Sequence, residues 1–187
     1  MDKEISNEFM KILKKQGINF HMQHKVTAVK KSNSKALVST VDKNENEKNF
    51  ECDVVLISVG RRPNTKGLNL ESIGVEFDKK KRIKTNKNFQ TNINNIYAIG
   101  DVIDGPMLAH KAEEEGIAVA EILAGQSGHV NYDIIPGVIY TFPEVAYVGK
   151  TEEQLKNEKV NYKIGKFSFL ANSRAKAIDE TDGFVKI

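Results

Sequence analysis

Residues 4–16 carry apolar side chains at Ile5, Phe9, Ile12 and Leu13, at spacings of four, seven and eight that lay one stripe along a helix. Lys14 and Lys15 followed by Gly17 make its C-terminal stop. Three strand-like stretches follow at 18–31, 35–41 and 49–59, separated by Ser32-Asn33-Ser34 and by the polar turn from Asp42 to Glu47. The third ends in the unbroken apolar run Val54–Val59, the pattern of a strand covered on both faces; Gly60 closes it and Pro63 blocks regular continuation. Residues 64–92 read as a crossover with short elements around Ile73-Gly74-Val75 and Ile83, and Gln90-Thr91 leads into an apolar strand over Asn95–Ile99. A helix opening at Met107 sets Leu108, Ala112, Gly116, Val119, Ala120 and Leu123 on one face, so Glu113, Glu114, Glu115 and Glu121 are expected to face water. From Tyr132 the pattern turns β-rich: a strand at Val138-Ile139-Tyr140 broken at Phe142-Pro143, a capping box at Thr151–Gln154, and strands at Tyr162–Lys166 and Gly183–Ile187. The fold class that emerges is α/β, becoming α+β toward the C-terminus.

Chemistry concentrates where the Asn95–Ile99 stretch meets Gly100-Asp101-Val102 and then Gly105–His110. Gly100 has no Cβ, so a ligand can approach its backbone closely. Asp101 follows directly and can accept hydrogen bonds from sugar or ribitol hydroxyls. The helix start offers unpaired N–H groups and the positive end of a dipole to an electron-rich ring. Such a place holds a flavin and breaks no bond.

These residues resemble the second flavin-binding motif of the pyridine nucleotide–disulfide oxidoreductases. Gly105–Gly116 resembles the dihydrolipoamide dehydrogenases within that group, and so do Gly60–Thr65, Ala124-Gly125-Gln126, Val130–Lys150, Asn172–Ala175 and Thr181-Asp182-Gly183. The resemblance implies the closing part of a nicotinamide-binding domain over residues 1–62, a central flavin-binding segment over 63–131, and the start of an antiparallel-sheet dimerisation domain over 132–187. FAD and NAD are the implied cofactors. Asp101, Met107, Leu108, Ala109 and His110 are the implied FAD contacts, His110 through its backbone. Val26 and Gly60 are the implied NAD contacts; on their own residues they read equally as strand packing and a turn glycine. The implied reaction oxidises protein-bound dihydrolipoyl groups and passes electrons through a disulfide and FAD to NAD+. The implied partners are a second copy of the chain and the lipoyl-bearing subunits of 2-oxo acid dehydrogenase complexes or of the glycine cleavage system, in bacterial cytoplasm or, alternatively, the mitochondrial matrix.

Other parts that the family needs do not appear. Its Cys-x4-Cys pair is unmatched, because Cys52 is the one cysteine, and none of the 13 glycines builds a Gly-x-Gly-x-x-Gly turn. Nor does anything match its C-terminal His–Glu pair. The chain therefore reads as an internal segment with no catalytic residue of its own, expected to be inactive alone. Competing readings are a non-catalytic dinucleotide-binding module, a dimerisation module on 132–187, or another disulfide reductase of the same family.

Composition adds exclusions. A net charge of +3 and the turn-like run Lys79–Arg82 give no ordered basic face for nucleic acid. No apolar run approaches the about 18 residues of a membrane span. His21 and His24, three apart in an expected strand, would point to opposite faces and bind no metal together. Arg61 and Arg62 read as structural, through salt bridges to neighbouring segments.

Overall fold

Asp2 starts the first helix, α1 (Lys3–Lys15), by accepting the N–H groups of Glu4 at 2.9 Å and Ile5 at 3.4 Å. The stripe turns Ile12 and Leu13 inward, and Gly17, at φ 94°, lets the Ile18 N–H reach back to the Leu13 carbonyl. The structure, a computed structural model, describes the backbone of residues 1–187 and every side chain except that of Ser32. It divides into two compact units, one formed by 1–59 with 161–187 and the other by 60–160.

In the first unit, β1 (Lys25–Ser32), β2 (Lys35–Val41) and β3 (Glu47–Cys52) form an antiparallel meander in that order. The β2–β3 turn is tied by Asp42, whose Oδ1 accepts the N–H groups of Asn44 and Asn46. Two expectations fail here. Residues 18–24 are not strand: a turn at Met22-Gln23, with Gln23 at φ 59°, brings the His21 and His24 rings edge to face at 5.6 Å, so they do not point to opposite sides. The apolar run after β3 pairs with nothing among the described residues. Val54, Leu56, Ile57 and Val59 are 82%, 86%, 76% and 92% exposed. A strand covered on both faces needs neighbours on both edges and layers above and below, and residues 1–187 supply none. Later in this unit, β6 (Lys166–Ser168) pairs antiparallel with β7 (Phe184–Lys186), and Asn172 caps the short α4 (Ser173–Ala177). The strand expected from Tyr162 begins only at Lys166, although Gly165 and Ile187 already exchange backbone hydrogen bonds.

The second unit is organised around Val75, Ile83, Phe89, Ala98, Ile103, Ala118 and Val130. The Lys79–Arg82 run is a turn under Asp78, which accepts the N–H groups of Lys80 and Arg82. Asn95–Ile99 is not a sheet strand. It folds back on Phe89–Thr91 with one bridge, Gln90 to Tyr97, because the chain rotates away at Gly100 before a ladder can extend. The helix α2 runs Ala109–Leu123 and starts two residues later than its pattern predicts, with Leu108 as N-cap. Beyond it, β4 (Gly137–Ile139) and β5 (Val145–Tyr147) pair antiparallel, and Thr151 and Gln154 close a reciprocal capping box on α3 (Glu152–Asn157).

Candidate flavin-holding turn

Ile99 arrives extended, and Gly100, at φ 73°, turns the chain into a short 3-10 stretch over Gly100–Val102. An L side chain would be strained there, and its Cβ would come within 3.1 Å of the Ala112 methyl. The small residue on α2 thus lets the helix press against this turn.

Asp101 projects from the turn, a third exposed, with Oδ2 2.9 Å from Nη2 of Arg61. Its Oδ1 accepts no hydrogen bond among the described residues. The arginine excluded from the sequence-derived site is therefore the partner of that site's leading carboxylate. Eight residues on, α2 begins with no side chain capping it. An uncapped helix start presents N–H groups without intrahelical acceptors and the positive end of the helix dipole. A free carboxylate oxygen for hydroxyls and open N–H donors for an electron-rich ring edge both suit the ribityl chain and isoalloxazine of a flavin. The residues present fit the group.

Met107, Leu108, Ala109 and His110 lie together at that helix start. The His110 ring is spent elsewhere. Its Nε2 lies 2.7 Å from the Pro136 carbonyl, which can only accept, so Nε2 carries the hydrogen. Gly60, at φ 127°, has no atom within contact of a would-be Cβ. Val26 belongs to the first unit, 56% exposed beside the irregularity in β1.

The largest correction concerns α2. Lys111 and Glu115 are wholly buried, and the inward face is Lys111, Glu115 and Ala118, with Val119 and Ile122 packed on the core. Leu123 is exposed. Glu115 stands four residues after Lys111 and three before Ala118, so it falls on the same inward face as both. Glu115 Oε2 accepts the Gly100 N–H at 2.7 Å, and Lys111 Nζ donates to the Gly100 carbonyl at 3.1 Å. The two side chains pair at 3.0 Å. Tyr132 donates its hydroxyl to Glu115 Oε1 at 2.7 Å; burial, and then the adjacent Glu115, push the phenol well above the ordinary tyrosine range, so it stays a donor. The signal was present in the sequence as an i, i+4 Lys–Glu pair continuing into Ala118 and Ile122 at helical spacing.

The family model described as pyridine nucleotide-disulphide oxidoreductase matches residues 1–116, and that family's dimerisation domain matches 135–187. The chain is 57% identical to dihydrolipoyl dehydrogenase 2, mitochondrial, of Arabidopsis thaliana and 56% identical to the human mitochondrial dihydrolipoyl dehydrogenase. It is 55% identical to a leghemoglobin reductase of Glycine max. All of this chain is covered each time, against 37%, 37% and 36% of the relatives, so it spans little more than a third of their length. Among solved structures, the HOCl-induced flavoprotein disulfide reductase RclA of Escherichia coli superposes with a TM-score of 0.88 at 24% identity, over 99% of this chain and 42% of that one. LpdA of Mycobacterium tuberculosis gives 0.88 at 23%, over 100% and 40%. At that identity the structures speak for the fold.

Proposed function

The chain belongs to the pyridine nucleotide-disulphide oxidoreductases, and from that premise we propose that it is the flavin-holding and interface-forming part of a dihydrolipoyl dehydrogenase. The observation that carries the reading is the Gly100-Asp101 turn set on the uncapped start of α2, supported by 56–57% identity to dihydrolipoyl dehydrogenases along the whole chain. Asp101 binds the ribityl hydroxyls. The Leu108 N–H already donates to the Pro106 carbonyl at 3.1 Å, so the N–H groups of Met107, Ala109 and His110, with the helix dipole, stabilise negative charge at the pyrimidine edge of the ring, an effect of roughly 0.3–1 kcal/mol at an exposed helix end and about 2 where partly buried. Bound FAD supplies the two-electron redox chemistry between a disulfide and NAD+. Val26 and Gly60 lie along the nicotinamide cofactor. Residues 1–62, 63–131 and 132–187 correspond to the nicotinamide, central and dimerisation parts.

The matched dimerisation region supports a homodimer. The dihydrolipoyl reading extends to lipoyl-bearing subunits of 2-oxo acid dehydrogenase complexes or of the glycine cleavage system as partners. The mitochondrial designation of relatives from plants and human favours the matrix over a bacterial cytoplasm. The test is steady-state NADH formation from dihydrolipoamide and NAD+ by the full-length flavoenzyme. A protein that retains FAD yet gives no NADH would defeat the substrate assignment. The leghemoglobin reductases at 55% and 54% identity make a haem-protein acceptor the second reading. It is favoured if ferric haem protein is reduced with NADH while dihydrolipoamide is not oxidised.

A further inference from the structure

Lysine and glutamate are rarely both fully buried, and a well-packed apolar pair of similar volume is often as stable or more so. The buried Lys111–Glu115 pair on α2 thus asks for a reason beyond filling space. Its hydrogen bonds supply one. Glu115 takes the N–H of the Ile99–Gly100 peptide and Lys111 holds the C=O of the Gly100–Asp101 peptide. Both peptide planes flanking Gly100 are thereby pinned, and the second carries the N–H and Cα of Asp101. At φ 73° these groups have left the extended direction of Ile99. The remaining carboxylate oxygen is engaged by Tyr132. A second glycine makes room for the device: a Cβ on Gly105 would come within 2.9 Å of Lys111 Cε. The backbone of Gly105 therefore lies against the outer end of the lysine side chain. No buried side-chain nitrogen or oxygen is left unsatisfied among the described residues.

We propose that Lys111 and Glu115 act as a charged clamp that fixes the Gly100–Asp101 peptide, and so are positioning residues for FAD retention; this rests on the flavin-holding role of Asp101 argued above. The clamp acts through the backbone and touches no ligand. It holds Asp101 in one place before the cofactor arrives, so that binding does not have to order the turn. Preorganisation of this kind shows chiefly in how slowly the ligand leaves.

The test uses the full-length flavoenzyme with two charge-free double variants, because removing one partner alone strands a buried charge and threatens folding. Lys111→Met with Glu115→Gln keeps an amide oxygen to accept the Gly100 N–H. Lys111→Met with Glu115→Leu keeps the volume and loses that acceptor. Three readouts are taken: thermal midpoint, hydrogen exchange of the segment containing Gly100, and FAD release followed by the rise of free-flavin fluorescence. The Met/Leu variant is expected to fold, to exchange faster at Gly100, and to release FAD roughly ten- to a hundred-fold faster than wild type, with Met/Gln in between. A folded Met/Leu variant that retains FAD at the wild-type rate overturns the proposal. If the wild-type protein binds no FAD, the functional reading and the clamp's role in retention fall together. The clamp itself is then judged on Gly100 exchange, and unchanged exchange in Met/Leu sinks that too.

Discussion

Asp101 is positioned by one glycine in the left-handed region and one cation. Gly100 supplies the turn that presents the carboxylate, and Arg61 holds one oxygen while the other stays open. Hydrogen bonds to a charged acceptor contribute roughly 1.5–3 kcal/mol, so Asp101→Ala should weaken FAD binding in the full-length enzyme about ten- to a hundred-fold. Equilibrium dialysis showing wild-type affinity in that variant would remove Asp101 from the site. Asp78 is one of the carboxylates expected to contribute to acid sensitivity. The Arg82 N–H first, then the Arg82 guanidinium and the Lys80 N–H, hold the Asp78 carboxyl below its usual range, and Arg82 also pairs with Asp104. A lowered folded value means that Asp78 contributes stability above the ordinary aspartate value of about 3.9, and that this is lost as pH falls through the folded value. Asp78→Asn is therefore expected to lower the thermal midpoint at neutral pH, with the gap to wild type closing below about pH 4. A gap that stays constant with pH would contradict the assignment.

At the scale of elements, α2 organises the second unit, and two glycines beyond its end test how. A Cβ on Gly128 would sit 2.1 Å from the Ala118 carbonyl oxygen, a backbone atom of α2 that cannot step aside. Gly125, at φ 77°, faces open space. Gly128→Ala should push the return segment off the helix and cost about 1–3 kcal/mol or more. Gly125→Ala meets only left-handed backbone strain of roughly 1–2 kcal/mol. Chemical denaturation of both variants checks the order; an equal or reversed cost would mean that the return segment is not tightly seated on α2. Periodicity revealed much at this scale. The α1 stripe, the meander turns and the Thr151 capping box follow their patterns within a residue or two. On α2 the apolar tally pointed to the face of Leu108 and Leu123, because it counted Lys111 and Glu115 as solvent-seeking. The pair's own contact, together with the backbone groups of Gly100 and the Tyr132 hydroxyl brought up from outside the helix, makes their burial tolerable.

For the whole molecule, the exposed run from Val54 to Val59 is the plainest feature. Four large apolar side chains in one extended, unpaired stretch form a template for association with another edge. Residues 1–187 expressed alone should bind a hydrophobic dye and scatter light as concentration rises. Changing Leu56 and Ile57 to Lys should reduce both, and unaltered scattering would locate the sticky surface elsewhere. The full-length enzyme is expected to be a two-fold dimer built through the region matched to the dimerisation domain. Full activity in a protein diluted to monomers would count against it.

Sequence by itself determined the family and the helix and turn positions, and it singled out the stretch from Gly100 to His110 that we propose holds a flavin. Those properties are local: turn chemistry, helical period and motif spacing are written in neighbouring residues. Tertiary structure alone decided that Arg61 pairs with Asp101, that His110 spends its ring on Pro136, and that Lys111 and Glu115 grip Gly100 from inside. Each of these joins groups at least 11 residues apart. A charged side chain's place depends on whether the fold brings it a partner that offsets the loss of water, and a pattern of neighbours along the chain does not contain that partner.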